Sequence, residues 1–222
     1  MKVILMDPSQ PQKLLINKDT NFPCLVIDNW YSAEEEKAVW KELDFYTNKD
    51  KFYRSENTVT ATDSNGNSLS SSFRTYIDRV FRDATRDSTI VKLREKLRTD
   101  KFYSTIEEAI PMGRIFKDTN ASSNLISYYE ENDYYDEHVD IFLFTVLIWF
   151  HKTPKLYTGG DLYLKDSDTK IISKHNRLCV FPCYYKHQVT PIEWTQKPDE
   201  LGHGRYTITH FYYTTPSGKI DE

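Results

Sequence analysis

From about Met112 onward the chain breaks into short runs rich in aromatic and β-branched residues, each closed by a turn signal. The runs are Leu125–Tyr129, Phe142–Phe150, Asp161–Leu164, Leu178–Phe181, His187–Ile192 and Arg205–Tyr213. Between them stand Asn132-Asp133, Thr158-Gly159-Gly160, Lys165-Asp166-Ser167-Asp168 and Pro198–Gly204. Aromatic and β-branched side chains pack well on a pleated, half-buried surface. Many short strands at this spacing predict a sandwich or barrel. The longest apolar run, Ile141–Phe150, is strand-sized and well short of the roughly 20 residues of a membrane span.

The upstream half reads differently. Phe22–Asp28 predicts a short opening strand. Ser32 with Glu35 three residues later forms a capping box, in which each side chain satisfies a backbone amide that a helix start leaves orphaned. Val39, Trp40 and Leu43 give the helix that follows one apolar face. Residues 56–72 are rich in Ser, Thr, Asn and Asp and predict a mobile loop. Phe73, Ile77, Val80, Phe81 and Ala84 recur at helical spacing, and a shorter helix is expected over Ile90–Leu97. These helices are expected to support a sheet. The fold class is therefore α+β, mainly β. A single domain over residues 1–222 is expected, with an N-terminal strand and supporting helices over 1–110 and a barrel-like β core over 111–215.

Composition excludes several classes of function. Net charge is −4 and no Lys/Arg cluster stands out, so nucleic acid is not an expected partner. The apolar stretch Val3–Met6 is too short for a signal peptide. No membrane association and a cytoplasmic location are expected. Three cysteines, Cys24, Cys179 and Cys183, do not make a disulfide framework. Cys179 and Cys183 lack the spacing and the second ligand pair of a structural zinc site.

His138-Val139-Asp140 carries the chemistry. Residues i and i+2 of an extended chain project to one side, so an imidazole nitrogen and a carboxylate oxygen converge on one ion. Two histidines and a carboxylate on one face of an octahedron leave three positions open, as in the facial triad of non-haem Fe(II) oxygenases. Of the six histidines, His187 is the best third ligand because it opens the alternation Gln188–Ile192 at a strand edge. His151 and His175 sit in polar turns and His203 lies between glycines. Further on, Arg205, Thr207 and Thr209 alternate with apolar neighbours and share one strand face. If that face is interior, the guanidinium must be paired, and its fork matches a carboxylate.

Tyr129, His138-x-Asp140, Gly159-Gly160-Asp161-Leu162, His187 and Gly204-Arg205-Tyr206 follow one another with strand-sized gaps. In this order the chain closely resembles the Fe(II)- and 2-oxoglutarate-dependent dioxygenase superfamily, particularly its prolyl-4-hydroxylase-like branch. The similarity runs from about Leu125 to Tyr213, with a weaker echo at Phe22–Glu35. The resemblance implies a double-stranded β-helix, or jelly roll, as the core. It implies that His138, Asp140 and His187 hold Fe(II), and that Arg205 pairs with the distal carboxylate of 2-oxoglutarate. Tyr129 matches the family tyrosine near the cosubstrate, Thr207 assists it, and Trp149 falls where related enzymes place a cosubstrate-contacting tyrosine. The implied reaction uses dioxygen, with ascorbate as a reductant, hydroxylates an unactivated C–H, and releases succinate and carbon dioxide.

The departures narrow the branch. Collagen-type prolyl hydroxylases usually carry lysine where Arg205 stands. Asp140 sets the chain apart from halogenases, which lack this carboxylate. Thr207 and Phe211 interrupt the R-x-N-x-T-x-R run of the alkylated-base demethylases. A prolyl residue in a peptide or protein is the leading expected substrate, and a free amino acid or small metabolite is the alternative. A jelly-roll binding module without catalysis and a zinc hydrolase on the same ligands are the readings of other classes. The complete ligand set argues against the first. The second lacks a general base placed by motif and leaves Arg205 unexplained.

Overall fold

The alternation of apolar and polar residues predicted above needs two different environments, one on each side of a sheet, and the fold provides both. The computed structural model describes residues 15–16, 24–47 and 51–216. Its strands run β1 (Leu15–Ile16), β2 (Leu25–Asp28), β3 (Tyr53–Arg54), β4 (Ser70–Ser71), β5 (Phe73–Tyr76), β6 (Ala121–Tyr129) and β7 (Tyr134–His138). They continue as β8 (Phe144–Phe150), β9 (Tyr157–Gly159), β10 (Leu162–Leu164), β11 (Thr169–Ile171), β12 (Arg177–Pro182), β13 (His187–Val189), β14 (Ile192–Trp194) and β15 (Arg205–Tyr213). The helices are α1 (Ala33–Thr47), α2 (Ile77–Val80), α3 (Ala84–Asp87), α4 (Thr89–Leu93) and α5 (Asp100–Ala109).

An eight-stranded sheet has the order β1-β2-β12-β8-β15-β6-β5-β3, and a five-stranded sheet has the order β11-β10-β13-β7-β4. β14 and β9 form a separate pair. Every pairing is antiparallel, as a jelly roll requires. One face of the large sheet presents Ile126, Val146, Ile148, Phe150, Val180, Tyr206, Ile208 and Tyr212 to the helices, where they meet Val39, Leu43, Phe102, Ile106 and Phe116. From the other face, Val26, Leu147, Trp149, Cys179 and Phe181 pack with Leu162, Leu164 and Ile171 of the small sheet. Odd and even positions of one strand thus enter different cores.

The capping box forms as expected: the Glu35 amide donates to Ser32 Oγ at 3.3 Å and the Ser32 amide to Glu35 Oε2 at 2.8 Å. Val39 and Leu43 are buried and Trp40 packs against the same core. The opening strand is found at Leu25–Asp28; Phe22 and Pro23 lie outside the described residues. The expected short helix near Ile90–Leu97 is found as α4 followed by a 3-10 turn at Arg94–Arg98.

Other expectations are corrected. The helix predicted from Phe73 is not continuous. Phe73–Tyr76 is a strand with Phe73 opposite Tyr128 and Tyr76 opposite Leu125. The edge of β6 recruits these β-favouring residues, and this tertiary pairing overrides the helical spacing. Residues 56–72 carry more regular structure than a loop. Asp63 Oδ1 accepts from the amides of Asn65 and Asn67, each at 2.8 Å, and Ser70–Ser71 pairs with β7. The run His187–Ile192 divides at Thr190-Pro191, and its second part pairs with β9.

The opening strand is tied down by charge. Asp28 is buried, and its carboxylate accepts from Arg177 Nε at 2.6 Å, Arg177 Nη2 at 3.0 Å and Lys174 Nζ at 2.9 Å. Burial alone would raise its pKa, but the hydrogen bonds from Arg177 and Lys174 outweigh this and hold it below the ordinary carboxylate value. A depressed carboxyl contributes stability that is complete above about pH 4 and is lost as pH falls through the folded-state value. Asp28→Asn is therefore expected to lower stability by about 3 kcal/mol at neutral pH. In thermal melts the gap between variant and wild type should narrow toward pH 3; an unchanged gap would show that this cluster contributes nothing to acid sensitivity.

Candidate metal centre and the cavity around it

β7 and β13 are neighbours in the small sheet, and their register sets His138 opposite His187. Asp140 follows two residues after the end of β7. His138 Nε2 lies 3.6 Å from Asp140 Oδ1, and His187 Nε2 lies 3.6 Å from Asp140 Oδ2. One ligand atom from each residue falls within 4.8 Å of the others, the one such cluster among the described residues.

Backbone carbonyls orient both rings. His138 Nδ1 donates to Asp136 O at 2.7 Å, and His187 Nδ1 donates to Tyr185 O at 2.9 Å. A carbonyl can only accept, so each Nδ1 carries a proton, and Nε2 is the ring nitrogen turned toward Asp140. Burial, followed by the neighbouring His187, pushes the pKa of His138 down to about 2, so this ring is neutral. Asp140 is held in turn: Thr145 Oγ1 donates to Oδ2, and the Asp140 amide donates to Cys183 O at 3.0 Å. The Cys183 thiol stays protonated, because burial first and the Asp140 charge second raise its pKa well above the usual thiol range. The donor set is thus two imidazole nitrogens and one carboxylate, which suits Fe(II) or a similar divalent metal.

The cluster opens into a cavity of about 200 Å³ between the two sheets. Arg205, Thr207, Thr209 and Phe211 of β15 line it, as do Leu125, Ser127 and Tyr129 of β6. The predicted shared face of Arg205, Thr207 and Thr209 is therefore interior. Arg205 is only 1% exposed. Its guanidinium stacks over the Tyr129 ring at 4.6 Å, its neighbour across the β15–β6 ladder. Two glycines make room. A Cβ on Gly160 would lie 2.7 Å from Arg205 Cδ, and one on Gly204 would lie 2.1 Å from Tyr129 O.

Among the cavity-lining residues, Arg205 Nε and Nη1 and Thr207 Oγ1 are buried without a hydrogen-bond partner, and outside the lining so are Tyr157 Oη and Trp149 Nε1. Native interiors rarely leave such groups orphaned. Most of these orphans are donors, so the missing component is an acceptor, and a guanidinium calls for an anionic, planar one. A carboxylate such as the distal group of 2-oxoglutarate fits this set. Trp149 stands opposite Thr207 on β8, packed with Cys24, Val26, Leu162 and Leu164 behind the cavity wall.

Several residues at this site have no motif to announce them. The Tyr135 ring stacks on His138 with centroids 3.5 Å apart and planes 12° from parallel. Tyr135 Oη accepts from the Ala61 amide at 3.1 Å, which pins the cavity-lining segment Val59–Ala61. Thr145 and Arg74 also line the cavity. The alternation within β8 marks Thr145 as inward-facing. Phe73–Tyr76 reads as helix from sequence, which hides Arg74.

Residues 124–213 match the family described as the 2OG-Fe(II) oxygenase superfamily. No curated protein sequence matches the chain. Among solved structures, a Pseudomonas putida prolyl-4-hydroxylase is similar at TM-score 0.58 and 14% identity, covering 88% of this chain and 94% of its own. A Trichoplax adhaerens prolyl hydroxylase, solved with a hypoxia-inducible-factor peptide fragment, is similar at TM-score 0.56 and 16% identity, covering 87% and 84%. The collagen prolyl hydroxylase of Paramecium Bursaria Chlorella virus-1, solved with 2OG, is similar at TM-score 0.51 and 13% identity, covering 86% and 96%. The likeness extends the shared jelly roll over most of the chain.

Thr145 gives a test of how the centre is held. Thr145→Val keeps the shape and removes the hydroxyl bonded to Asp140. Second-layer losses of this kind weaken metal binding by roughly 10- to 100-fold, so anaerobic Fe(II) titration should show a drop in this range. Wild-type affinity in the variant would mean that Thr145 does not orient Asp140.

Proposed function

From the match of residues 124–213 to the 2OG-Fe(II) oxygenase superfamily, we propose that this chain is such an oxygenase and that it hydroxylates an unactivated C–H of a prolyl residue in a peptide or protein. The observation that carries the proposal is the juxtaposition, in one cavity, of the His138–Asp140–His187 cluster and the orphaned Arg205. When bound, Fe(II) and 2-oxoglutarate supply the oxidising chemistry, in which dioxygen and 2-oxoglutarate are consumed, succinate and carbon dioxide are released, and C–H becomes C–OH.

The chain's own residues provide placement and shielding. His138, Asp140 and His187 would hold the metal from one side, leaving the cavity side open. Arg205, braced on Tyr129 and given space by Gly160, would bind the distal carboxylate, with the Thr207 hydroxyl beside it on the same face. Leu147 and Leu162 line the cavity with apolar surface, and Trp149 belongs to the apolar cluster packed with them. At the other end, Val59, Val139 and Ile141 line the cavity and are 64%, 45% and 88% exposed. Exposed apolar side chains around a buried centre favour a substrate that approaches from outside and leaves part of itself at the rim. The similarity to prolyl hydroxylases supports the prolyl assignment.

Within this proposal, the zinc hydrolase reading does not account for the buried Arg205, and the inactive binding module does not account for an intact three-residue centre. Anaerobic incubation with Fe(II), followed by 2-oxoglutarate, ascorbate, oxygen and a proline-containing peptide library, should yield succinate and peptides heavier by one oxygen. Arg205→Met should raise the KM for 2-oxoglutarate by about two orders of magnitude, the loss expected for a paired guanidinium–carboxylate contact. Undiminished turnover in His138→Ala would overturn the site assignment, and bound zinc with no 2-oxoglutarate binding would favour the hydrolase.

A further inference from the structure

The cavity holds a second buried arginine. Arg74 is 3% exposed and lines the same space as the His-Asp-His cluster. Nε donates to Ser72 Oγ at 3.2 Å and Nη2 to Ser70 Oγ at 2.9 Å. Its guanidinium lies 4.5 Å from the centre of the Tyr135 ring, which itself stacks on His138. These contacts hold the group in place without neutralising it. Among the described residues no carboxylate stands within ion-pairing distance of Arg74. A buried charge with no counter-charge is costly, and native proteins rarely keep one without a use.

Strand register places Arg74 relative to the cosubstrate end. Arg74 is opposite Ser127, and Ser127 is opposite Thr207, so the three form one row across β5, β6 and β15. Arg205 lies in the next inward-facing row, opposite Tyr129. With strands ~4.8 Å apart and ~3.4 Å per residue, the two arginine backbones are about 12 Å apart on one sheet face. His138 and His187 come from the facing sheet, and Asp140 follows the end of β7. Arg205 is braced on Tyr129, and Arg74 on Tyr135 beside His138, so different rings hold the two guanidinium groups in the cavity.

Charge counting points the same way. The charged cavity-lining side chains are Arg74, Arg205 and Asp140. A divalent metal and a dianionic cosubstrate cancel each other, and Asp140 offsets Arg205. Arg74 is left over with its charge intact.

We propose that Arg74 is a specificity-determining residue that receives a carboxylate carried by the substrate itself. The substrate class is thus a prolyl compound with a nearby carboxylate, supplied by an adjacent acidic residue of a peptide or by the α-carboxylate of a free amino acid. The inference rests on the oxygenase assignment above and adds the chemistry of its substrate. The competing role is structural, with Arg74 merely bracing Tyr135 against His138.

The test uses the full chain loaded with Mn(II) and N-oxalylglycine, an inert 2-oxoglutarate analogue, and measures binding by calorimetry. One probe pair is L-proline against L-prolinamide. The other is a set of blocked peptides with Glu or Gln on either side of one proline. The carboxylate member of at least one pair should bind about tenfold more tightly or better, the scale of a charge-assisted contact. Preference in the first pair assigns a free acid, and preference in the second an acidic peptide. The preference should vanish in Arg74→Gln and return in part in Arg74→Lys. No carboxylate preference in either wild-type pair overturns the proposal without needing any variant, so poor folding of Arg74→Gln does not shield it. Preference retained in Arg74→Gln overturns it as well, as would a loss of metal affinity in that variant with the probe ratio unchanged, which is the signature of a bracing role. Failure of the wild type to bind N-oxalylglycine would instead count against the oxygenase assignment, which separates the two outcomes.

Discussion

β15 is the strand on which the rest of the structure depends. All nine of its residues pair with β6 on one side, and Tyr206–Tyr212 pair with β8 on the other, in the interior of the large sheet. Tyr206, Ile208 and Tyr212 point to the helices and join the larger core. Arg205, Thr207 and Thr209 point between the sheets and line the cavity. One strand thus anchors the helical layer and furnishes the polar wall of the site. A shift of one residue in its register would exchange the two sets, putting a guanidinium among the helices and tyrosines in the cavity. Long pairing on both flanks is what prevents this.

The candidate centre is a property of two sheets facing one another. His138 and His187 belong to neighbouring strands of the small sheet, while Arg205 and Arg74 belong to the large one. The two histidines are steered by the backbone carbonyls of Asp136 and Tyr185, two residues before each ring in the chain. Both sides of the centre use the same local device, a carbonyl at i−2 that fixes the proton on Nδ1. The carboxylate is steered by a side chain from another strand, Thr145. Glycines complete the arrangement by absence of volume, at Gly160 against Arg205 and at Gly204 against Tyr129.

Much of this was legible in the chain. Arg205–Tyr213 appears with the bounds its alternation predicts, because a strand with one polar and one apolar face leaves a strong period-two signal. Ser32 and Glu35 announced the start of α1, since a capping box is a local interaction among residues three apart. β7 was not legible: Tyr134–His138 contains Asp136 and Glu137, whose side chains are exposed at that point and erase the apolar pattern. Phe73–Tyr76 was read as helix because the spacing to Ile77 and Phe81 mimics a helical face. Its true state is decided by β6, whose pairing partner lies some fifty residues away in sequence. α5 was missed for a related reason, since its buried contacts, Phe102 and Ile106, supply too few apolar positions for a clear helical stripe.

The sequence by itself determined the kinds of donor present, their order, and the alternation that puts Arg205 and its threonines on one face. These follow from residue chemistry and from backbone periodicity, both of which act locally. Only the tertiary structure decided that this face is interior, that His187 is the histidine brought opposite His138, and that Arg74 shares their cavity. Each of those facts depends on which strands pair and in what register. Such pairing is settled by contacts between residues far apart in the chain, where no local pattern records them.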